Sequence, residues 1–171
     1  MIEKIDFRDA IVRNKRKSFF LISIIFIIII AFGYVISYAF SPMYFSIIMI
    51  MAVIFSLGYI LISYYNSDKI ALMSVGAKEA KISEYKQYYD AVEGLTIASG
   101  MPMPKLYTMN SEQINAFASG RNPKNSVICV TTGALKKLDK NELEGVIANE
   151  LSHISNFDIR LMTLTAVMVG M

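Results

Sequence analysis

The sequence of 171 residues contains a single cysteine, Cys129, and a single histidine, His153. One cysteine excludes an internal disulfide, which agrees with a reducing compartment. Cys129 lies in the stretch SVICVTT, which is rich in β-branched residues and predicts a strand. We therefore interpret Cys129 as a buried structural thiol rather than a reactive one.

The sequence also lacks a strong excess of charge of either sign. It has 17 basic and 14 acidic residues, for a net charge of +3. The basic residues flank apolar stretches instead of forming a patch interleaved with aromatic residues. This distribution excludes nucleic acid as an expected partner.

Two stretches, residues 18–40 and 43–65, contain no charged residue at all. Each is long enough, at about 1.5 Å per helical residue, to cross a hydrocarbon core of roughly 30 Å. A cleaved secretory signal is the alternative for the first stretch, but its apolar run is too long and no small-residue cleavage site follows. We predict a two-helix transmembrane hairpin, with the lipid bilayer as a partner.

Basic residues flank the hairpin on both sides and are absent from its short link. Such flanks stay in the cytoplasm, so both ends of the hairpin and the protein that follows it are predicted to be cytoplasmic. The flanking basic residues are Lys4, Arg8, Arg13, Lys15, Arg16, Lys17, Lys69, Lys78, Lys81 and Lys86.

From residue 66 onward the sequence mixes charge with periodic apolar positions, as soluble domains do. Apolar residues recur every three to four positions over residues 79–99, which predicts an amphipathic helix that Gly100 ends. Residues 105–109 and 126–132 are predicted strands. Between them, residues 115–119 form either a wide loop or an edge strand able to pair with another chain.

A second helix is predicted to begin after Asp139, because Asp139 and Glu142 match a capping box. Its apolar face comprises Leu143, Val146, Ile147, Leu151 and Ile154. We expect this helix to span about residues 140–157 and to pack against the core.

This helix carries the stretch ANELSHISNFD. Positions 149 and 153 lie within about 40° of each other around a helix, the spacing with which two histidines share one zinc ion, and position 150 can reach a water on that ion. Here Asn149 offers only a neutral amide, a poor replacement for imidazole. Taken alone, His153 is more typical of a packed, hydrogen-bonded histidine than of a ligand.

Four ordered blocks change that interpretation: GMPMPKLYTM, NAFASGRNPKNSVICVTTGAL, LDKNELEGVIA and ELSHISNFDIRLMT. Together with the apolar hairpin, they resemble the HtpX-like membrane zinc metalloproteases over essentially the whole chain. The resemblance implies a membrane α-helical hairpin joined to an α+β zincin-like (gluzincin) domain, incomplete at its C-terminus.

The resemblance also implies roles for individual residues. Glu150 would be the general base and His153 a zinc ligand, with Asn149 at the place of the family's first histidine. The third ligand, a glutamate on a later helix, lies beyond this sequence. Asn156 and Asp158 match the family's trailing N-x-D, and Asp158 is either a carboxylate that orients an imidazole or one at a helix end. The substrate-binding segment implied is Asn115, Ala116, Phe117, Ala118, Ser119 and Gly120.

The function implied is hydrolysis of peptide bonds in damaged or misfolded membrane proteins, with one zinc ion as cofactor. We expect the chain as written to be inactive and to hold no zinc, and we favour an altered or shortened form of an active enzyme. The alternatives are a natural pseudoprotease that binds polypeptides and a hairpin with a small domain lacking a groove. The expected regions are a basic N-terminus (1–17), the hairpin (18–65), the protease domain (66–158) and the start of a third membrane segment (161–171).

Overall fold

The computed structural model describes residues 7–40, 42–159 and 161. The expected third membrane segment lies outside these residues, apart from its first position. The helices are α1 (Phe7–Ala39), α2 (Phe45–Tyr65), α3 (Ser67–Ser74), α4 (Lys86–Ser99), α5 (Thr132–Lys137) and α6 (Lys140–Ser155). The strands are β1 (Lys78–Glu79), β2 (Lys105–Met109), β3 (Ala116–Asn122) and β4 (Asn125–Thr131).

Helices α1 and α2 form the hairpin that the uncharged stretches predict. A short 3-10 turn, Pro42–Tyr44, precedes α2. Helix α1 starts well before the uncharged stretch, because lysine and arginine are good helix formers and extend it into the basic segment. The side chains of Phe19, Phe32 and Phe55 are each at least 66% exposed, whereas such side chains are buried in a core helix of a soluble protein.

The two helices of the hairpin are in close contact at Gly33. A Cβ atom at this position would lie 2.6 Å from the Cβ of Ala52. Small residues at such a crossing let the two helix backbones approach closely enough for van der Waals contact. Tyr34 and Phe45 meet edge to face nearer the tip, with ring centroids 6.2 Å apart.

The domain contains a four-stranded sheet of order β1-β2-β4-β3. Strand β4 is central and pairs parallel with β2 and antiparallel with β3. Strand β3 is thus an edge strand, as one of the two alternatives for residues 115–119 predicts. A register shift next to Gly120 lets the β3–β4 hairpin close through Pro123.

The structure corrects the helix predicted over residues 79–99. Lys78 and Glu79 are extended and pair with β2, and the helix begins only at Lys86. Strand pairing therefore overrides the apolar periodicity at the start of the segment. The predicted end is confirmed, since Gly100 takes the left-handed conformation at φ 68°. Helices α3 and α5 were not predicted.

The core lies on both faces of β4, whose residues alternate between them. Ile128 and Val130 pack with α4 and α6, whereas Val127 and Cys129 pack with Leu72 of α3. The Tyr88 hydroxyl donates to the Ile128 carbonyl at 3.0 Å, so the buried phenol of α4 is satisfied. Cys129 is fully buried, which confirms a structural thiol, and burial raises its pKa to about 12.

Candidate active site

Helix α6 is fixed at its start by the predicted capping box. The Asp139 carboxylate accepts from the Glu142 N–H at 2.9 Å, and the Glu142 carboxylate accepts from the Asp139 N–H at 2.9 Å. Leu143, Ile147 and Ile154 are buried in the core. This anchoring turns positions 149, 150 and 153 away from the core. The helix ends at Ser155, two residues before the predicted end.

Glu150 faces the edge strand. Its Oε2 accepts a hydrogen bond from the Ala118 N–H at 3.0 Å, and its Oε1 accepts one from the Asn149 side-chain amide at 3.3 Å. The Ala118 N–H therefore points away from β4 and toward α6. The carboxylate at the centre of the helical motif and the edge of the sheet are in direct contact.

The predicted substrate-binding segment lies along this edge. Ala116 begins β3, and Asn115 precedes it with its carbonyl accepting from the Thr131 N–H at 3.0 Å. Phe117 pairs with Cys129 of β4. Ser119 and Gly120 lie on the same strand beyond Ala118. The structure thus places Glu150 against Ala118, within the six-residue segment.

His153 contacts a carboxylate instead of a second histidine. Its Nδ1 lies 3.3 Å from Oδ2 of Asp158, and the two side chains are 36% and 30% exposed. A carboxylate at Nδ1 favours the tautomer that carries its proton there, so Nε2 keeps its lone pair. The structure places Asp158 against the imidazole, and Asn156 forms the C-cap of α6.

Two residues of α1 also contact the turn after α6, and the sequence does not predict these contacts. Asn14 donates from Nδ2 to Asp158 Oδ1 and to the Asn156 carbonyl, the latter at 3.3 Å. The Lys15 ammonium lies 4.3 Å from the centroid of the Phe157 ring. These contacts join positions more than 140 residues apart, and no local pattern in the sequence marks them.

The described residues around α6 do not make up a catalytic zinc site. Such a site takes three protein ligands from histidine, cysteine and acidic side chains and keeps one open position. Among the described residues no group of three or more such side chains could hold a metal. Asn149 directs its amide N–H toward Glu150, and its amide oxygen is a neutral donor that replaces an imidazole poorly.

Known proteins resemble the chain over most of its length. The sequence pattern of peptidase family M48 matches residues 82–171. Proteins described as protease HtpX homologs from Dictyoglomus thermophilum and Caldanaerobacter subterraneus are each 44% identical, over 96% and 92% of the chain. The homolog from Thermococcus sibiricus is 48% identical over 71% of the chain. The chain spans about half the length of these relatives: 54%, 52% and 42%.

Proposed function

The chain belongs to peptidase family M48, and on that premise we propose that it carries the anchor and the active-site helix of a zinc-dependent metalloendopeptidase of the cytoplasmic membrane. The substrates are polypeptides, chiefly damaged or misfolded membrane proteins. The observation that carries the proposal is the contact of Glu150 with the Ala118 N–H at the sheet edge. A general base lies there beside a strand that can receive an extended peptide.

The proposed membrane topology rests on the hairpin. Two helices, Ile11–Ala39 and Phe45–Tyr65, are long and apolar enough to cross a bilayer. Their apolar side chains are exposed, and lysine and arginine flank them on one side only. The positive flanks favour a cytoplasmic N-terminus (1–17) and a cytoplasmic protease domain (66–158) around the hairpin (18–65).

The peptide-binding role rests on the position of β3 at the edge of the sheet, where it lies next to α6. A peptide that adds to this edge gains main-chain hydrogen bonds, and its carbonyl groups come to lie next to α6. Asn115 to Gly120 form the binding segment in this proposal. Glu150 then faces a water and a peptide group at the same time, as a general base must.

The chain as written is proposed to be inactive because its donors do not fit zinc. His153 supplies the only imidazole of the 171 residues, and Asn149 stands where the motif needs another. The Asp158 carboxylate orients His153 in this proposal but does not replace the missing ligand.

A second function, a polypeptide-binding pseudoprotease, is favoured by one observation. The Asn149 amide donates to Glu150 at 3.3 Å, so the carboxylate has a neutral protein partner in place of a catalytic water. A site that is satisfied in this way can keep the peptide-binding edge without the chemistry. An asparagine codon at position 149 of the native gene supports this function, and a histidine codon supports the enzyme.

The variant Asn149→His, made in the protein encoded by the complete gene, tests the enzymatic proposal. We expect it to bind zinc and to cleave casein, whereas the double variant with Glu150→Gln should bind zinc without cleavage. Asn141→His is the matched control, because it adds an imidazole to an exposed position of the same helix. A zinc-loaded Asn149→His protein that cleaves nothing contradicts the endopeptidase assignment.

A further inference from the structure

The turn that follows α6 has an unusual backbone. Phe157 adopts a φ of 59° and is the only non-glycine residue with positive φ in the described part of the chain. Bulky side chains rarely take this left-handed conformation, and they do so where surrounding contacts hold them. The turn follows Ser155, and beyond it Asp158 lies against the His153 imidazole.

Helix α1 contacts every residue of this turn. Asn14 donates to the backbone carbonyl of Asn156 and to the side chain of Asp158. The Lys15 ammonium lies over the ring of Phe157, at a distance typical of cation–π contacts. The turn is therefore held by two consecutive residues from the cytoplasmic end of the first apolar helix.

Asn14 is built into this position and is not a surface residue in chance contact. It is only 7% exposed, and its own carbonyl accepts from the buried hydroxyl of Ser18 at 3.0 Å. Both partners of its side chain are oxygen acceptors, a carboxylate and a carbonyl. The amide nitrogen must face them, so the side chain acts as a donor.

The contacts form a chain from α1 to the imidazole. Asn14 donates to one oxygen of the Asp158 carboxylate, and the other oxygen faces Nδ1 of His153. A carboxylate held in this orientation accepts the Nδ1 proton. The Nε2 atom, which is left as the acceptor, is then available on the outer side of the ring.

We propose that Asn14 is a positioning residue: it fixes the Asp158 carboxylate and thereby the tautomer and orientation of the His153 imidazole. The membrane hairpin thus sets the geometry of the active-site helix. That an oriented His153 serves catalysis rests on the proposed function. The contacts themselves can be tested without any peptidase activity.

The test uses ring-¹⁵N-labelled histidine in the 171-residue chain, reconstituted in lipid nanodiscs with a metal chelator. His153 is the only histidine, so the ring nitrogens give one assigned pair of NMR signals. At a fixed pH of about 8.5 an ordinary imidazole is neutral. We expect the Nδ1–H tautomer to predominate. In Asn14→Ala its ratio to the Nε2–H tautomer should fall about fivefold, the effect of one hydrogen bond.

Two further variants separate positioning from packing. Asn14→Asp keeps the size of the side chain but sets a carboxylate against Asp158, so we expect it to lower the ratio as Asn14→Ala does. Ser37→Ala removes another buried polar group of α1, remote from the turn, and should leave the signals unchanged.

Three results would overturn the inference. One is a native chain without the Nδ1–H tautomer, and another is a pair of Asn14 variants with native signals. The third is an Asn14→Asp chain that keeps the native ratio while Asn14→Ala loses it, since that pattern indicates packing. Failure of the proposed function has a separate signature: it appears in the cleavage assay on Asn149→His, which this measurement does not use.

Discussion

At the scale of single residues, position 149 determines which partner Glu150 has. An imidazole there would turn a ring nitrogen toward a metal, whereas Asn149 donates its amide N–H to the Glu150 carboxylate. The other oxygen of Glu150 accepts from the Ala118 N–H. Both oxygens of the carboxylate are thus satisfied within the protein, without a cation.

Gly120 is a residue at which a side chain cannot be accommodated. Its φ is 140°, and an added Cβ would collide with the Asn125 carbonyl oxygen and lie 2.8 Å from the Ser126 Cα. We expect Gly120→Ala to lower the free energy of unfolding by about 2 kcal/mol or more. Gly145→Ala is the control, because a Cβ there meets no atom within 4 Å and should stabilise α6 by up to about 1 kcal/mol. Urea denaturation of both variants measures the difference. Equal free energies of unfolding would contradict the structure of the β3–β4 turn.

Cys129 makes a pH-dependent contribution to stability. Burial raises its pKa from 9.0 to about 12 in the folded protein, so the unfolded chain loses the thiol proton first. The contribution is intact below pH 9 and is lost progressively as the pH rises from 9 toward 12. Relative to Cys129→Ala, the native chain should lose of the order of 2 kcal/mol between about pH 8 and pH 10.5. Urea denaturation at the two pH values measures this loss, and parallel pH profiles of the two proteins contradict a buried thiol.

At the scale of helices and strands, local patterns predicted what local forces determine. The capping box predicted the start of α6, Gly100 predicted the end of α4, and the β-branched residues of SVICVTT predicted most of β4. The predicted start of α4 was wrong, because the pairing of β1 with β2 outweighs the helical periodicity of the apolar residues. The contact of Asn14 with Asp158 could not be predicted, since it depends on how the hairpin docks on the domain.

The crossing of α1 and α2 depends on Gly33. A leucine there would meet Ala52 and push the helices apart, whereas Gly58 on α2 has open space around it. We expect Gly33→Leu to lower the melting temperature of the chain in nanodiscs, as followed by circular dichroism, because packing of small residues holds such helices together. Gly58→Leu is the matched control and should melt close to the native chain. If the two variants melt alike, the helices do not cross at Gly33.

At the scale of the whole molecule, the proposed topology puts the tip of the α1–α2 hairpin outside the cell and the domain in the cytoplasm. In a Cys129→Ala background, Met43→Cys places a thiol at the exposed tip of the hairpin, and Lys124→Cys places one in the β3–β4 turn. We expect a membrane-impermeant maleimide to label position 43 in intact cells and position 124 only after permeabilisation. Labelling of position 124 in intact cells would contradict a cytoplasmic domain.

The central part of the proposed function is that the side chains of the active-site helix α6 in this chain do not make up a zinc site. The most direct measurement is the zinc content of the purified 171-residue chain after equilibration with zinc and removal of excess ion, determined by mass spectrometry. We expect far less than one zinc per chain, because one imidazole, one amide and one carboxylate do not form a zinc site and the described residues hold no group of three or more metal-binding side chains. One zinc ion per chain, lost in His153→Ala, would contradict it.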